Sequence, residues 1–113
     1  MKRKYFITTI MLFACLLSFA ADKKVKGACI GNSVTYGYGH AAPAETSYPA
    51  QLSRLLGENY EVKNFGKSGA TLLRKGHRPY NKQQEYSDAL AFAPDIAIIH
   101  LGLNDTDPRN WPN

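Results

Sequence analysis

The chain has 113 residues and a formal net charge of +5, from 14 basic and nine acidic side chains. Three of the basic residues stand together at positions 2–4. Without that short segment, 11 basic residues oppose nine acidic ones and the net charge falls to +2. Basicity confined to the start of the chain removes the main electrostatic argument for nucleic-acid binding, so we expect no nucleic-acid partner.

Residues 1–20 have the pattern of a secretory signal peptide. Basic Lys2–Lys4 precede an apolar stretch, Tyr5–Leu17, and a small-residue exit at Ser18–Ala20. The apolar stretch is shorter than the ~20 residues that a membrane span needs. We therefore expect a secreted or periplasmic product with no stable membrane span in the mature chain. Lipid attachment at Cys15 is the less favoured alternative. Once the signal peptide is removed, Cys29 is the sole cysteine of the mature chain, which excludes an internal disulfide there and predicts a buried thiol.

Three segments of residues 21–113 predict β-strands: Val25–Ile30, Tyr60–Phe65 and Ile96–Leu101. The third is an almost continuous β-branched apolar run, which is typical of a strand covered on both faces. Helical segments between them give the order β-α-β-α-β, which predicts a parallel sheet with right-handed crossovers. A sheet covered on both faces usually needs more chain than this. We therefore expect residues 21–113 to be the N-terminal portion of an α/β domain that is cut after its third strand.

The first predicted helix lies between the first two strands. Ser47 can cap it, Pro49 falls in its first turn and Gly57 ends it. Within it, Leu52, Leu55 and Leu56 are predicted to share one face.

A long irregular segment and a second helix precede the third strand. The helix is predicted over Lys82–Phe92, ended by Pro94. The segment Gly69–Asn81 is predicted to hold one helical turn at Leu72–Lys75. Its basic and aromatic side chains could line a polar substrate, although a solvated surface loop is the favoured interpretation.

A short polar motif follows or closes each predicted strand. The motifs are Gly31-Asn32-Ser33, Asn64-Phe65-Gly66 and Gly102-Leu103-Asn104-Asp105. Each alone is an ordinary turn. Because loops at the carboxyl ends of neighbouring parallel strands converge, the three can bring a hydroxyl together with N–H donors. Acyl transfer needs such a hydroxyl and such donors for the oxyanion of its tetrahedral intermediate.

In order and spacing these motifs resemble the first three blocks of the SGNH (GDSL-type) esterase family. The segment Tyr80–Trp111 is similar to its secreted bacterial branch of sialate or carbohydrate O-acetylesterases. The resemblance implies a three-layer α/β/α fold with a parallel, flavodoxin-like sheet. It also implies hydrolysis through an acyl-serine intermediate with no metal or other cofactor. The implied partner is an acylated carbohydrate or another small ester; the resemblance leaves the oligomeric state open.

Carried over residue by residue, the resemblance implies that Ser33 is the nucleophile. The backbone N–H groups of Ser33 and Gly66 and the side-chain amide of Asn104 would form the oxyanion hole. Gly66 would leave room for the incoming ester. Asn32 replaces the aspartate that the family usually has, which keeps a carbonyl acceptor of the same shape but removes a charge.

The family's base and its acidic partner lie in an Asp-x-x-His block, and no aspartate of this chain is followed by histidine three residues later. Without a base the serine hydroxyl stays protonated and attacks poorly. We therefore expect the base beyond residue 113 and near-inactivity of the chain alone. His100 is expected to be a buried residue of the third strand, and His40 and His77 to be surface residues.

Two other functional classes compete with a serine esterase. A noncatalytic, secreted glycan-binding module or degenerate esterase would use the same cleft without turnover. In either case Tyr36 and Trp111 could stack on a sugar ring, with core packing the alternative. A dinucleotide-binding fold is disfavoured, because Gly37 and Gly39 trail the first strand by several residues and Pro43 interrupts the helix that should follow at once.

Overall fold

The computed structural model describes Lys23–Trp111. The predicted signal segment at positions 1–20, with Cys15, lies outside the described residues. Within Lys23–Trp111, no helix is long and apolar enough to cross a bilayer.

Three parallel strands form one sheet in the order β2-β1-β3. They are β1 (Val25–Gly31), β2 (Tyr60–Gly66) and β3 (Ile96–His100). The last residue of β1 pairs with the last residue of both neighbours, so the three carboxyl ends are level. The predicted parallel α/β sheet is confirmed, and its order is the one with which flavodoxin-like sheets begin.

Helical segments connect the strands. The α-helices are α1 (Ser33–Tyr36), α2 (Pro43–Thr46), α3 (Tyr48–Leu56) and α4 (Gln84–Phe92). Short 3-10 turns cover Tyr80–Lys82, Leu103–Thr106 and Pro108–Asn110. The helix predicted over Lys82–Phe92 is therefore a 3-10 turn followed by α4, and Ala93 ends α4 in the left-handed region at φ 50°.

The core lies on both sides of β1. On one side, Ala28 and Phe65 pack against Ala89 and Phe92 of α4, with the two phenyl centroids 5.6 Å apart. On the other side Cys29 is fully buried as a free thiol, as predicted, and burial raises its pKa. Since alternate residues of β1 point to opposite faces, the domain has the helix-sheet-helix layering expected of its fold class.

The predicted start and end of α3 are confirmed, with Pro49 in its first turn and Gly57 as the C-cap residue. Ser47 is its N-cap residue, but its side chain makes no cap hydrogen bond and instead lies 3.4 Å from the side-chain amide of Asn64. The leucines predicted to share one face of α3 are not all covered, since Leu55 is 85% exposed and Leu56 is 41% exposed. Helical periodicity identifies side chains that share a face, but not whether the sheet is wide enough to cover that face.

All five residues of β3 are exposed in the described structure, so the coverage predicted for both faces of this strand is not seen there. β3 is an edge strand of the described sheet; α3 packs on β2, and α4 packs on β1 and β2. His100 is exposed with the rest of the strand rather than buried. The helical turn expected at Leu72–Lys75 is replaced by bends and one turn between the bridged residues Thr71 and Pro79, in which the Gly76 N–H donates to the Leu73 carbonyl at 3.1 Å.

Tyr80 connects the end of the long loop Gly69–Asn81 to the end of β2. Its ring is 4% exposed and its hydroxyl donates to the carbonyl oxygen of Phe65 at 2.6 Å. Burial, together with the carboxylates of Glu85 and Asp88, raises the pKa of Tyr80 to about 12. The folded chain therefore holds this proton more tightly than the unfolded chain, in which tyrosine titrates near pH ~10.

We expect this tyrosine to make stability fall at alkaline pH. Its stabilising contribution is complete below pH ~10 and is lost as the pH rises towards 12. In Tyr80→Phe, the fall in unfolding free energy over this interval should be smaller by about 2 kcal/mol. Urea unfolding across the pH range measures it, with exposed Tyr38→Phe as the control. An unchanged pH dependence in Tyr80→Phe would contradict the assignment.

Candidate active site

Ser33 occupies the first turn of α1, two residues after β1 ends. It is half-buried, and its carbonyl oxygen accepts from the N–H groups of Gly37 and Tyr38 at 2.9 and 3.0 Å. The first N–H groups of a helix have no intrahelical acceptor, and one of them, on Val34, is taken by the cap residue. The Ser33 N–H is thus a donor at a helix start, beside its own hydroxyl.

Asn32 holds this turn in place. It is fully buried, its Oδ1 accepts from the Val34 N–H at 3.0 Å, and its backbone N–H donates to the His100 carbonyl at 3.3 Å. Asn32 thus has the carbonyl acceptor that the sequence analysis expected it to share with the family's aspartate. That acceptor serves as the N-cap of α1. The Nδ2 of Asn32 is buried without a hydrogen-bond partner among the described residues.

Gly66 ends β2 against the backbone of α1. A Cβ built on Gly66 would lie 2.7 Å from the Cα of Tyr36 and 2.8 Å from the carbonyl carbon of Thr35. Real Cβ atoms do not approach backbone this closely. The need for glycine here therefore comes from close packing of β2 on α1, whereas the sequence suggested only access for the substrate.

Gly66→Ala is expected to destabilise the fold by about 1–3 kcal/mol, because α1 must move to admit the methyl group. Gly27→Ala is the matched control: its added Cβ would lie 3.6 Å from Val62 Cγ2, an ordinary contact in the same sheet. Thermal and urea unfolding of both variants measure the difference. Equal stabilities of the two variants would contradict the close packing of α1 on β2.

Asn64 links β2 to α1 and was not recognised from the sequence as a positioning residue. Its Nδ2 donates to the Thr35 carbonyl at 2.8 Å, and its Oδ1 accepts from the Gly66 N–H at 2.8 Å. The same side chain therefore holds α1 and orients the end of β2. It also occupies the Gly66 N–H, so that group would have to share its hydrogen to serve as an oxyanion donor.

Asn104 and Asp105 bind the loop after β3 to the loop after β2. Asn104 Nδ2 donates to the Ala70 carbonyl at 3.0 Å. The Asp105 carboxylate accepts from the N–H groups of Leu72 and Leu73 at 2.8 and 2.7 Å. An amide nitrogen carries two hydrogens, so Asn104 retains one donor after its bond to Ala70. The sequence contained Asp105 within the motif, but only the folded chain shows that it anchors the other loop.

The histidines do not complete a catalytic pair within Lys23–Trp111, where no hydrogen bond joins any of them to Ser33. His40 Nδ1 lies 2.9 Å from Thr46 Oγ1, and His77 Nδ1 lies 3.2 Å from Asn110 Oδ1. Both are exposed, as predicted. The aromatic residues considered for sugar stacking are exposed as well in the described structure, Tyr36 by 48% and Trp111 by 61%.

Comparison with known proteins bears on this arrangement of motifs. The family model for the GDSL-like lipase/acylhydrolase family matches residues 29–113. The chain belongs to the GDSL-like lipase/acylhydrolase family. The matched region includes all three motifs at the strand ends, so the resemblance inferred from them is confirmed at the level of the family.

Two relatives of this GDSL-like chain extend the comparison. It is 50% identical over 98 residues to an acetylxylan esterase of Xylanibacter ruminicola, a match that covers 85% of this chain and 20% of that protein. It is also similar to the solved structure of a mutant of the esterase AlinE4, with a TM-score of 0.50 and 28% identity, over 74% of this chain and 42% of that one. The chain thus spans about a fifth of the curated relative and less than half of the solved one.

Proposed function

We propose that the protein is a serine ester hydrolase in which Ser33 attacks the acyl carbon. The observation that carries the proposal is the convergence of three motifs at the level ends of adjacent parallel strands, with α1 packed directly on Gly66. Ser33 would supply the hydroxyl. Its own N–H, the Gly66 N–H and the free hydrogen of Asn104 would stabilise the oxyanion.

In the proposed mechanism, the Ser33 oxygen forms a bond to the ester carbonyl carbon while a base accepts its proton. The tetrahedral intermediate then expels the alcohol, which takes the proton from the base. Water then attacks the acyl-serine as the base accepts its proton, and the acid leaves as that proton returns to the Ser33 oxygen. A base in hydrogen-bond contact with Ser33 is required. Since no histidine of Lys23–Trp111 makes that contact, we propose that these residues alone turn esters over slowly.

The proposed substrate is an O-acetyl group on a carbohydrate, either sialic acid or another sugar. The acetylxylan esterase relative supports an acetylated saccharide, and exposed Tyr36 and Trp111 offer ring faces for sugar. The leader-like residues 1–20 support a proposed role outside the cytoplasm.

Covalent labelling tests the nucleophile. The full chain is treated with a fluorophosphonate probe and digested, and the modified peptide is identified by mass spectrometry. We expect the probe on the peptide that contains Ser33, and slow acetate release from acetylated xylan oligosaccharides or O-acetyl sialic acid. A probe carried by another serine would overturn the assignment of Ser33. Saccharide binding with no labelling and no acetate release would favour the noncatalytic glycan-binding alternative.

A further inference from the structure

A cleft of about 290 Å³ opens beside Gly66. Its walls include Tyr36, Tyr38, Lys67, Arg78 and Glu85. This volume is near the lower end for small-molecule sites, which begin at roughly 300 Å³. The cleft is contiguous with the candidate active site, because Gly66 touches the backbone of Tyr36 at the end of the same helical turn that begins at Ser33.

Two tyrosines give the cleft an amphipathic wall. Tyr36 is 48% exposed and Tyr38 is 77% exposed. Single exposed aromatic residues are common and need no explanation, but these two flank a glycine at the carboxyl edge of a parallel sheet, where ligands bind in such folds. A tyrosine ring presents an apolar face with a polar tip, which suits the mixed surface of a sugar ring.

The cleft carries one cation without a carboxylate partner among the described residues. Lys67 Nζ lies 3.3 Å from Glu85 Oε1, so those two charges offset each other. Arg78 makes no ion pair within Lys23–Trp111; its Nη1 donates to the Ser68 carbonyl at 3.0 Å. The guanidinium also lies over Gly69, where an added Cβ would be 3.4 Å from Nη1. Arg78 is thus oriented by the loop while most of its donors stay free.

Two residues of the cleft wall carry a buried polar atom without a hydrogen-bond partner. Ser68 Oγ and Glu85 Oε2 are buried and make no hydrogen bond among the described residues, and both residues line the cleft. Buried polar atoms are normally satisfied.

We infer that this cleft binds a sugar ring that carries a carboxylate, with Arg78 pairing to the carboxylate and Tyr36 and Tyr38 lying against the ring. Arginine matches a carboxylate through two parallel N–H donors. This inference rests on the proposed function, since the ring would belong to the acetylated saccharide whose ester lies at Ser33. The preferred substrates would then be acidic saccharides rather than neutral ones.

Two matched probes test the inference without any need for turnover. Methyl glucopyranosiduronic acid and methyl glucopyranoside differ only in a carboxylate against a hydroxymethyl group. Each is titrated into the full chain, and binding is measured by NMR chemical-shift changes. We expect at least tenfold tighter binding of the acidic probe. Arg78→Gln should abolish that preference, and Arg78→Lys should restore part of it. Lys75→Gln, in the same exposed loop but outside the cleft, is the control.

Equal affinity for the two probes, failure of both to bind, or an unchanged preference in Arg78→Gln would each overturn the inference. Tyr36→Ala should weaken both probes alike, since the ring contact does not involve the carboxylate. The result is separable from the ester hydrolase proposal: Ser33 labelling without a preference for the acidic probe removes only the acidic subsite. A preference for that probe without labelling would contradict only the proposal that the protein is an ester hydrolase.

Discussion

Ser33→Ala is expected to abolish fluorophosphonate labelling and, in a protein that also supplies the base, to reduce ester hydrolysis on the order of 10⁶-fold, as loss of a nucleophile does in serine hydrolases. The change removes one oxygen from a half-buried side chain. Its neighbours in α1 depend on the Ser33 carbonyl oxygen, which alanine retains. We therefore expect the loss to arise in chemistry, with the fold unchanged.

The matched control for this variant is Ser53→Ala. Ser53 is also a helical serine whose backbone carbonyl ends its helix, by accepting from the Gly57 N–H at 3.2 Å. It should keep full labelling and hydrolysis. Unfolding curves should be the same for wild type and both variants. Labelling of Ser33→Ala at the wild-type level would show that another residue is the nucleophile.

Asn104→Ala is expected to cost about 3 kcal/mol of transition-state stabilisation, which corresponds to roughly a 10²-fold fall in kcat with little change in KM. The missing interaction is the hydrogen that Asn104 keeps after its bond to the Ala70 carbonyl. A donor aimed at the developing oxyanion contributes more in the transition state than in the bound substrate, so the loss should fall on kcat.

The bond from Asn104 to Ala70 gives the same variant a structural effect that must be measured separately. Loss of that bond should lower the unfolding free energy by only about 1 kcal/mol. Asn59→Ala, at an exposed position before β2, serves as the control for both measurements. A rise in KM with kcat unchanged would indicate that Asn104 contributes to binding and not to the oxyanion hole.

Local sequence patterns predicted the strands well, because alternation, β-branched runs and turn residues act over a few neighbouring positions. All three strands lie within one residue of their predicted bounds at each end, and the parallel order follows from their spacing. Asn32 is similar: a side-chain acceptor just before a helix start is a local cap signal, and it caps α1.

Burial was predicted less well, because it depends on what packs against an element. Leu55 satisfies the helical period yet is 85% exposed, and the β-branched β3 is exposed throughout. Periodicity shows which side chains share a face. Whether another layer covers that face is a property of the assembled domain, and β3 is at the edge of the described sheet.

The sequence by itself determined the family, the parallel α/β order and the positions of Ser33, Gly66 and Asn104 at successive strand ends, since each is encoded by residues close together in the chain. Only the tertiary structure decided how these ends are joined. Asn64 makes a hydrogen bond to Thr35, which lies 29 positions away in the chain. The Asp105 carboxylate makes one to Leu72, which lies 33 positions away. Such contacts depend on which strands become neighbours, because hydrogen bonds between distant segments leave no periodic signal in the chain.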